Sequence, residues 1–245
     1  VERRGLRLVA AAALVGAIGC VQTAALDSAR SLPRGQKAVL GAASADVQGR
    51  ARHLYPEPYD EQWTVPPPDQ PKSWSNLRVT PKLVYAFRLG LGAGFQLDLI
   101  GFNFIGAGVG LKWQLFGGAD GPFAVALAGR ATGSIFGEGG DEDDASISEL
   151  AAQGLLLVSV HPTRRLELYA APQLLAERLS HTKSQAGIEA TTTVTASGIG
   201  SGAGTILWVT DEIGVCADLT LVRFTAEEER RSWLTTATVG WLQRM

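Results

Sequence analysis

The chain predicts an all-β fold: an antiparallel up-and-down transmembrane β-barrel of about ten strands, with about eight or twelve also compatible with the pattern. Three observations carry that expectation. Apolar and polar residues alternate with period two along most of the chain after Leu77. Many of these runs reach about nine to twelve residues, against about five to six for an average soluble strand, and so approach the tilted span of a bilayer. Beyond the N-terminal leader, no apolar stretch approaches the ~18 uninterrupted residues of a membrane helix.

The leader comes first. Arg3, Arg4 and Arg7 precede an apolar run from Leu8 to Ile18, and the small residues Ala17 and Gly19 stand just ahead of Cys20. This is the three-part layout of a secretory signal peptide over residues 1–19, so the chain is expected to leave the cytoplasm. Ala17-Ile18-Gly19-Cys20 resembles the bacterial lipobox, which implies acylation of the Cys20 thiol and cleavage directly before it. Ala17 and Gly19 also satisfy ordinary small-x-small cleavage, and both readings stay open. Losing the leader moves the formal charge from −2 to about −4, a mild acidity with no electrostatic footprint for nucleic acid. The other cysteine, Cys216, reads as packing, and no internal disulfide is expected if Cys20 carries lipid.

Residues 20–75 read as a tether and a proline-rich periplasmic lead. A turn is expected at Leu32-Pro33-Arg34-Gly35, and residues 37–48 suit a first strand or a short helix. Prolines at 56, 58, 66, 67, 68 and 71 remove backbone donors and fix an extended, polyproline-like course. The barrel domain is placed at 76–245. From Leu77 to Leu91 the odd positions are apolar, with Arg78, Lys82 and Arg88 between them. Further runs follow at Phe95–Leu99, Val109–Leu115 and Phe123–Ile135. The apolar phase is on even positions from Leu150 to Val160 and Leu166 to Leu174, then on odd ones from Ile213 to Leu221 and Trp233 to Trp241. Glycines blur the faces of a further strand within Thr191–Thr210. Short turns are expected at 117–121, 161–163 and 210–212, and longer polar loops at Gly137–Asp144 and Ser180–Glu189.

Long alternating strands, an asymmetry between short turns and long loops, and the strand-turn-strand look of Phe87–Leu99 make the chain resemble a bacterial outer-membrane β-barrel protein, of lipoprotein type if Cys20 is acylated. Gly240 and Trp241 approximate the terminal signal of such barrels, although the chain ends Gln243-Arg244-Met245. The resemblance implies outer-membrane lipids, the barrel-assembly machinery and the lipoprotein-sorting machinery as partners, and residence in the outer membrane of a Gram-negative bacterium. Trp113, Trp208, Trp233 and Trp241 are candidates for interfacial girdles.

In that fold one set of charges faces the lumen: Arg78, Lys82, Arg88, Lys112, Arg130 and Arg165 with Asp98, Glu149, Glu167, Glu177 and Asp218. They read as a paired polar network filling the interior, or as the constriction of a narrow conduit. No catalytic residues, metal ligands or cofactors are assigned. His181, with Ser180, Ser184 and Glu177 nearby, resembles the histidine-serine pairs of barrel lipid A deacylases in residue type only, and a solvated loop histidine is the simpler reading. Glu138 and Asp141–Asp144 lack calcium-loop spacing and read as a solvated acidic loop. The expected role is structural, surface-interacting or small-solute passage. A soluble periplasmic lipoprotein holding an apolar ligand is the alternative, and it requires the apolar faces to point inward; a lipid-modifying barrel enzyme is the second.

Overall fold

A computed structural model describes residues 26–49, 78–103, 106–118, 121–138, 143–185, 188–226 and 231–245. Ten strands follow in chain order: β1 (Lys37–Gly49), β2 (Arg78–Gly92), β3 (Phe95–Phe102), β4 (Gly106–Phe116), β5 (Phe123–Glu138), β6 (Asp143–Val160), β7 (Leu166–Gln185), β8 (Ile188–Trp208), β9 (Ile213–Ala226) and β10 (Arg231–Arg244). Each pairs antiparallel with its chain neighbours, and β1 pairs with β10 to close the barrel. Closure gives backbone donors and acceptors partners in the ladder, the condition for crossing lipid with strands.

Residues 37–49 form a strand, with Leu40, Ala42, Ser44 and Asp46 buried on its inner face. The first strand considered at 37–48 is thus formed, and with it the barrel's strands run from Lys37 to Arg244. The proline-rich stretch falls in the chain between Gly49 and Arg78, both of which stand at the rim away from the chain ends. Its residues, like the leader and Cys20, lie outside the described residues.

The start of β1 and the end of β10 share one rim, called here the terminal rim, where Lys37 and Met245 exchange backbone hydrogen bonds of 3.2 and 2.9 Å. The tight β2–β3 turn there is made by Gly92 (φ 94°), Ala93 (φ 50°) and Gly94 (φ 81°). Strand length varies around the wall, from 8 residues in β3 to 20 in β7 and 21 in β8. A tilted span needs about 9–11 residues. The surplus stands at the opposite rim, where the outer face of β7 and β8 changes from Leu174 and Ile199 to hydroxyls. Ser180 meets Thr193 at 3.2 Å, and Thr182 meets Thr191 at 3.0 Å. Of the polar loops expected at 137–144 and 180–189, residues 137–138, 143–144, 180–185 and 188–189 are strand, and the rest lie outside the described residues. Outside the apolar band neither face needs apolar residues, so alternation disappears while ladder pairing continues.

The outer face within the band is apolar and exposed, including Leu83, Leu99, Leu111, Leu127, Leu156, Leu174, Leu219 and Val239. The charged faces point inward, which is the reverse of what the soluble ligand-binding alternative requires. Trp113, Trp233 and Trp241 face outward, and the Phe95 and Trp113 rings stack at 5.6 Å. Trp208 departs from the expected girdle: it is buried, with the Arg244 guanidinium 3.7 Å over its ring. Inside, one apolar cluster includes Leu40, Val84, Ile100, Leu155, Leu157 and Ile206, and a second comprises Leu175, Val222, Phe224, Leu234 and Ala151.

Candidate functional site: the lumen and its N-terminal segment

Strand alternation delivers side chains of one parity to the interior, and nine of the expected luminal residues are buried there: Lys82, Arg88, Asp98, Lys112, Arg130, Glu149, Glu167, Glu177 and Asp218. Arg165 is a correction. It lies exposed in the β6–β7 turn, because the turn runs through His161-Pro162 to Arg165 and β7 begins only at Leu166. Arg78 opens β2, with its side chain outside the described residues.

Two residues that alternation alone did not flag organise these charges. Asp46 on β1 pairs with Lys82 on β2, and Thr236 on β10 donates to Asp46 Oδ1 at 2.7 Å. Asp27 belongs to no strand. It sits on an N-terminal segment, residues 26–36, that enters the lumen from the terminal rim and docks on the inner wall.

The docking combines burial of Leu26 and Ala29 in the apolar cluster with polar contacts. Lys112 Nζ donates to Asp27 Oδ1, to the Ser28 carbonyl and to the Arg30 carbonyl, each at 2.9 Å. Arg88 Nη1 lies 3.5 Å from Asp27 Oδ1, and Arg130 Nη2 lies 3.5 Å from Oδ2. Arg88 Nη2 also donates to the Leu26 carbonyl at 2.6 Å. Nearer the rim, Gln114 Oε1 accepts from Ser31 N at 2.8 Å, and Gln96 Oε1 accepts from Leu32 N at 3.1 Å. Arg30 donates to the Gly121 carbonyl. Gly90 has to be glycine, since a Cβ there would collide with the Pro33 and Leu32 carbonyls; its amide instead donates to Gln36 O at 2.9 Å.

A second buried system adjoins the docked segment, and its Asp218 also accepts from the Leu26 amide. Tyr169 donates to Asp218 Oδ2 at 3.0 Å, and Thr220 donates to Oδ1 at 2.8 Å. The Tyr169 ring fills the space a Cβ on Gly204 would need. Gln153 and Gln173 are hydrogen-bonded across β6 and β7.

Two members of the histidine-serine group weighed against a solvated loop histidine stand on opposite faces of β7. Glu177 points into the lumen, whereas Ser180 is on the outer face, bonded to Thr193. Residues three apart on a strand point to opposite sides. The His181 and Ser184 side chains lie outside the described residues, as does His53. His161 Nε2 lies 3.3 Å from Glu167 Oε2, and the Oγ of fully buried Ser159 makes no hydrogen bond. That arrangement lacks the nucleophile-to-base contact of a hydrolase. Among the described residues, no group of His, Cys, Asp and Glu has the placement to hold a metal ion. Residues 139–142 of the acidic stretch lie outside the described residues.

A closed antiparallel wall, an exposed apolar exterior and a charged interior define the bacterial outer-membrane β-barrel fold and set the chain in the outer membrane of a Gram-negative cell. One solved structure agrees at the level of fold. The outer membrane protease OmpT of Escherichia coli superposes with a TM-score of 0.51 at 8% identity, covering 89% of this chain and 100% of that one. The attachment invasion locus protein Ail of Yersinia pestis follows at a TM-score of 0.40 and 11% identity, covering 86% of this chain and 99% of Ail. Neisserial surface protein A gives 0.39 at 10% identity, over 86% of this chain and 99% of that protein. No family model and no curated protein matches the chain.

Proposed function

We propose that the protein is a non-enzymatic barrel that is closed at rest and acts at the cell envelope through its tall wall, β6 to β8, as a structural or surface-interacting element. The observation that carries this reading is the filled lumen: an N-terminal segment, two apolar clusters and paired charges occupy the space that a porin leaves to water. Extension of β7 and β8 past the apolar band, with hydroxyls on their outer face, supports an extracellular placement of that rim. Short turns at the terminal rim suit the periplasm. Small-solute passage is the second reading, favoured by one observation: the closing segment is joined to the luminal wall by non-covalent contacts.

Export by way of residues 1–19 and acylation of Cys20 belong to the same proposal, with outer-membrane lipids, the barrel-assembly machinery and the lipoprotein-sorting machinery as partners. Cysteine labelling tests the orientation. In intact cells a membrane-impermeant maleimide is expected to label Thr193→Cys but not Gly118→Cys, and the reverse pattern overturns the surface role. Liposomes carrying the full chain are expected not to swell in small sugars; swelling favours passage.

A further inference from the structure

Arg88, Lys112 and Arg130 come from three different strands, β2, β4 and β5, and all three are buried. On the wall, Asp98 acts electrostatically on Arg88, and Asp218 on Arg130. Asp98 is engaged by Gln96 Nε2 at 2.8 Å, and Asp218 is engaged by Tyr169 and Thr220. The group on which all three cations close is Asp27, supplied by a segment that is not part of the wall.

We propose that Arg88, Lys112 and Arg130 form a binding site for a small oxyanion of the carboxylate or phosphate class, which the protein occupies with its own Asp27. Three features mark Asp27 as an exchangeable occupant. Its segment is held by hydrogen bonds, ion pairs and the burial of Leu26 and Ala29 in the apolar cluster, so it leaves without breaking a strand-strand ladder. Leu26, next to it, takes φ 41°, a left-handed conformation that strains a non-glycine residue. Arg88 Nε is buried with no hydrogen bond, so the site has donor capacity that one side-chain carboxylate does not use. Once Asp27 is gone, a cluster of buried cations is strongly destabilised until another anion neutralises it. The site goes beyond the envelope role and does not depend on it.

Chemical rescue of the full chain in detergent tests the proposal. Asp27→Ala is expected to lose its compact, heat-modifiable gel form several degrees below the unchanged protein. Sodium acetate or inorganic phosphate is expected to restore that loss saturably, whereas sodium chloride at equal ionic strength does not. Restoration by acetate alone assigns the carboxylate class, and restoration by phosphate assigns phosphate. Equal behaviour in all three salts overturns the proposal, and so does rescue that persists in Asp27→Ala/Lys112→Gln, because the anion then binds elsewhere. Asp27→Asn keeps the shape of the segment and is expected to show the same anion dependence. If neither variant folds in chloride, refolding in acetate or phosphate has to yield the compact form, and failure to do so refutes the site.

Discussion

Toward the end of β1, Asp46 pairs with Lys82 on β2 and accepts from Thr236 on β10, so three neighbouring strands satisfy one another across the closing seam. Nearer the terminal rim, Arg88, Lys112 and Arg130 instead close on Asp27, a residue from outside the wall. Both regions bury ions in a low-dielectric interior, and in both the pairing offsets a large desolvation cost. What differs is reversibility. The first arrangement is fixed once the ladder has closed. The second comes apart without disturbing the ladder, which leaves the barrel standing while its contents change.

The largest effect that separates the two regions is expected at Asp46. Asp46→Ala deprives buried Lys82 of that carboxylate and should cost about 3–5 kcal/mol, read as lowered urea resistance of the folded barrel in bilayers. The double change Asp46→Leu/Lys82→Met should recover most of that loss, and no recovery would mean that the pair fixes the seam by more than its charge. Next, Gly90→Val pushes a side chain into the Pro33 and Leu32 carbonyls and should cost about 1–3 kcal/mol while leaving the strands paired. Trypsin should then cut after Arg30, which is part-buried where it holds Gly121; continued protection of Arg30 would show that the segment is seated independently of its turn. The smallest effect is expected at Arg165→Ala, within about 0.5 kcal/mol, since the residue is exposed in a turn. A larger loss would return Arg165 to the luminal network.

Alternation made most of the wall legible, because lipid on one side and packed polar groups on the other impose opposite chemistry on successive residues. It correctly separated Lys112 from Leu111 and Asp218 from Leu219. It stopped where the two solvents became alike. Ser180 and Thr182 are strand residues that face water instead of lipid, so their polar run looked like a loop, although their partners Thr193 and Thr191 read as strand. Arg165 failed for the opposite reason, because an alternation extended one residue too far assigned a turn residue to a strand face. Asp27 was invisible to periodicity altogether, since a segment held by side chains from distant strands has no repeat. One signal was available: Arg88, Lys112 and Arg130 bring three cations to the region that Asp98 and Asp218 share, an imbalance that asks for one more anion.

The partners of the N-terminal segment also have an order along the chain. Gly90, Gln96, Lys112, Gln114, Gly121 and Arg130 fall on β2 to β5 and the turn before β5, and Asp218 on β9, which accepts from the Leu26 amide, joins them last. Asp27 itself lies just ahead of Lys37, the first residue of the strand that later meets β10. A chain exported from its N-terminus therefore presents this half of the wall together with its own counter-charge. The early strands can curl around a neutralised centre while β6 to β10 are still arriving. The last pairing, β1 with β10, then seals a vessel that is already filled.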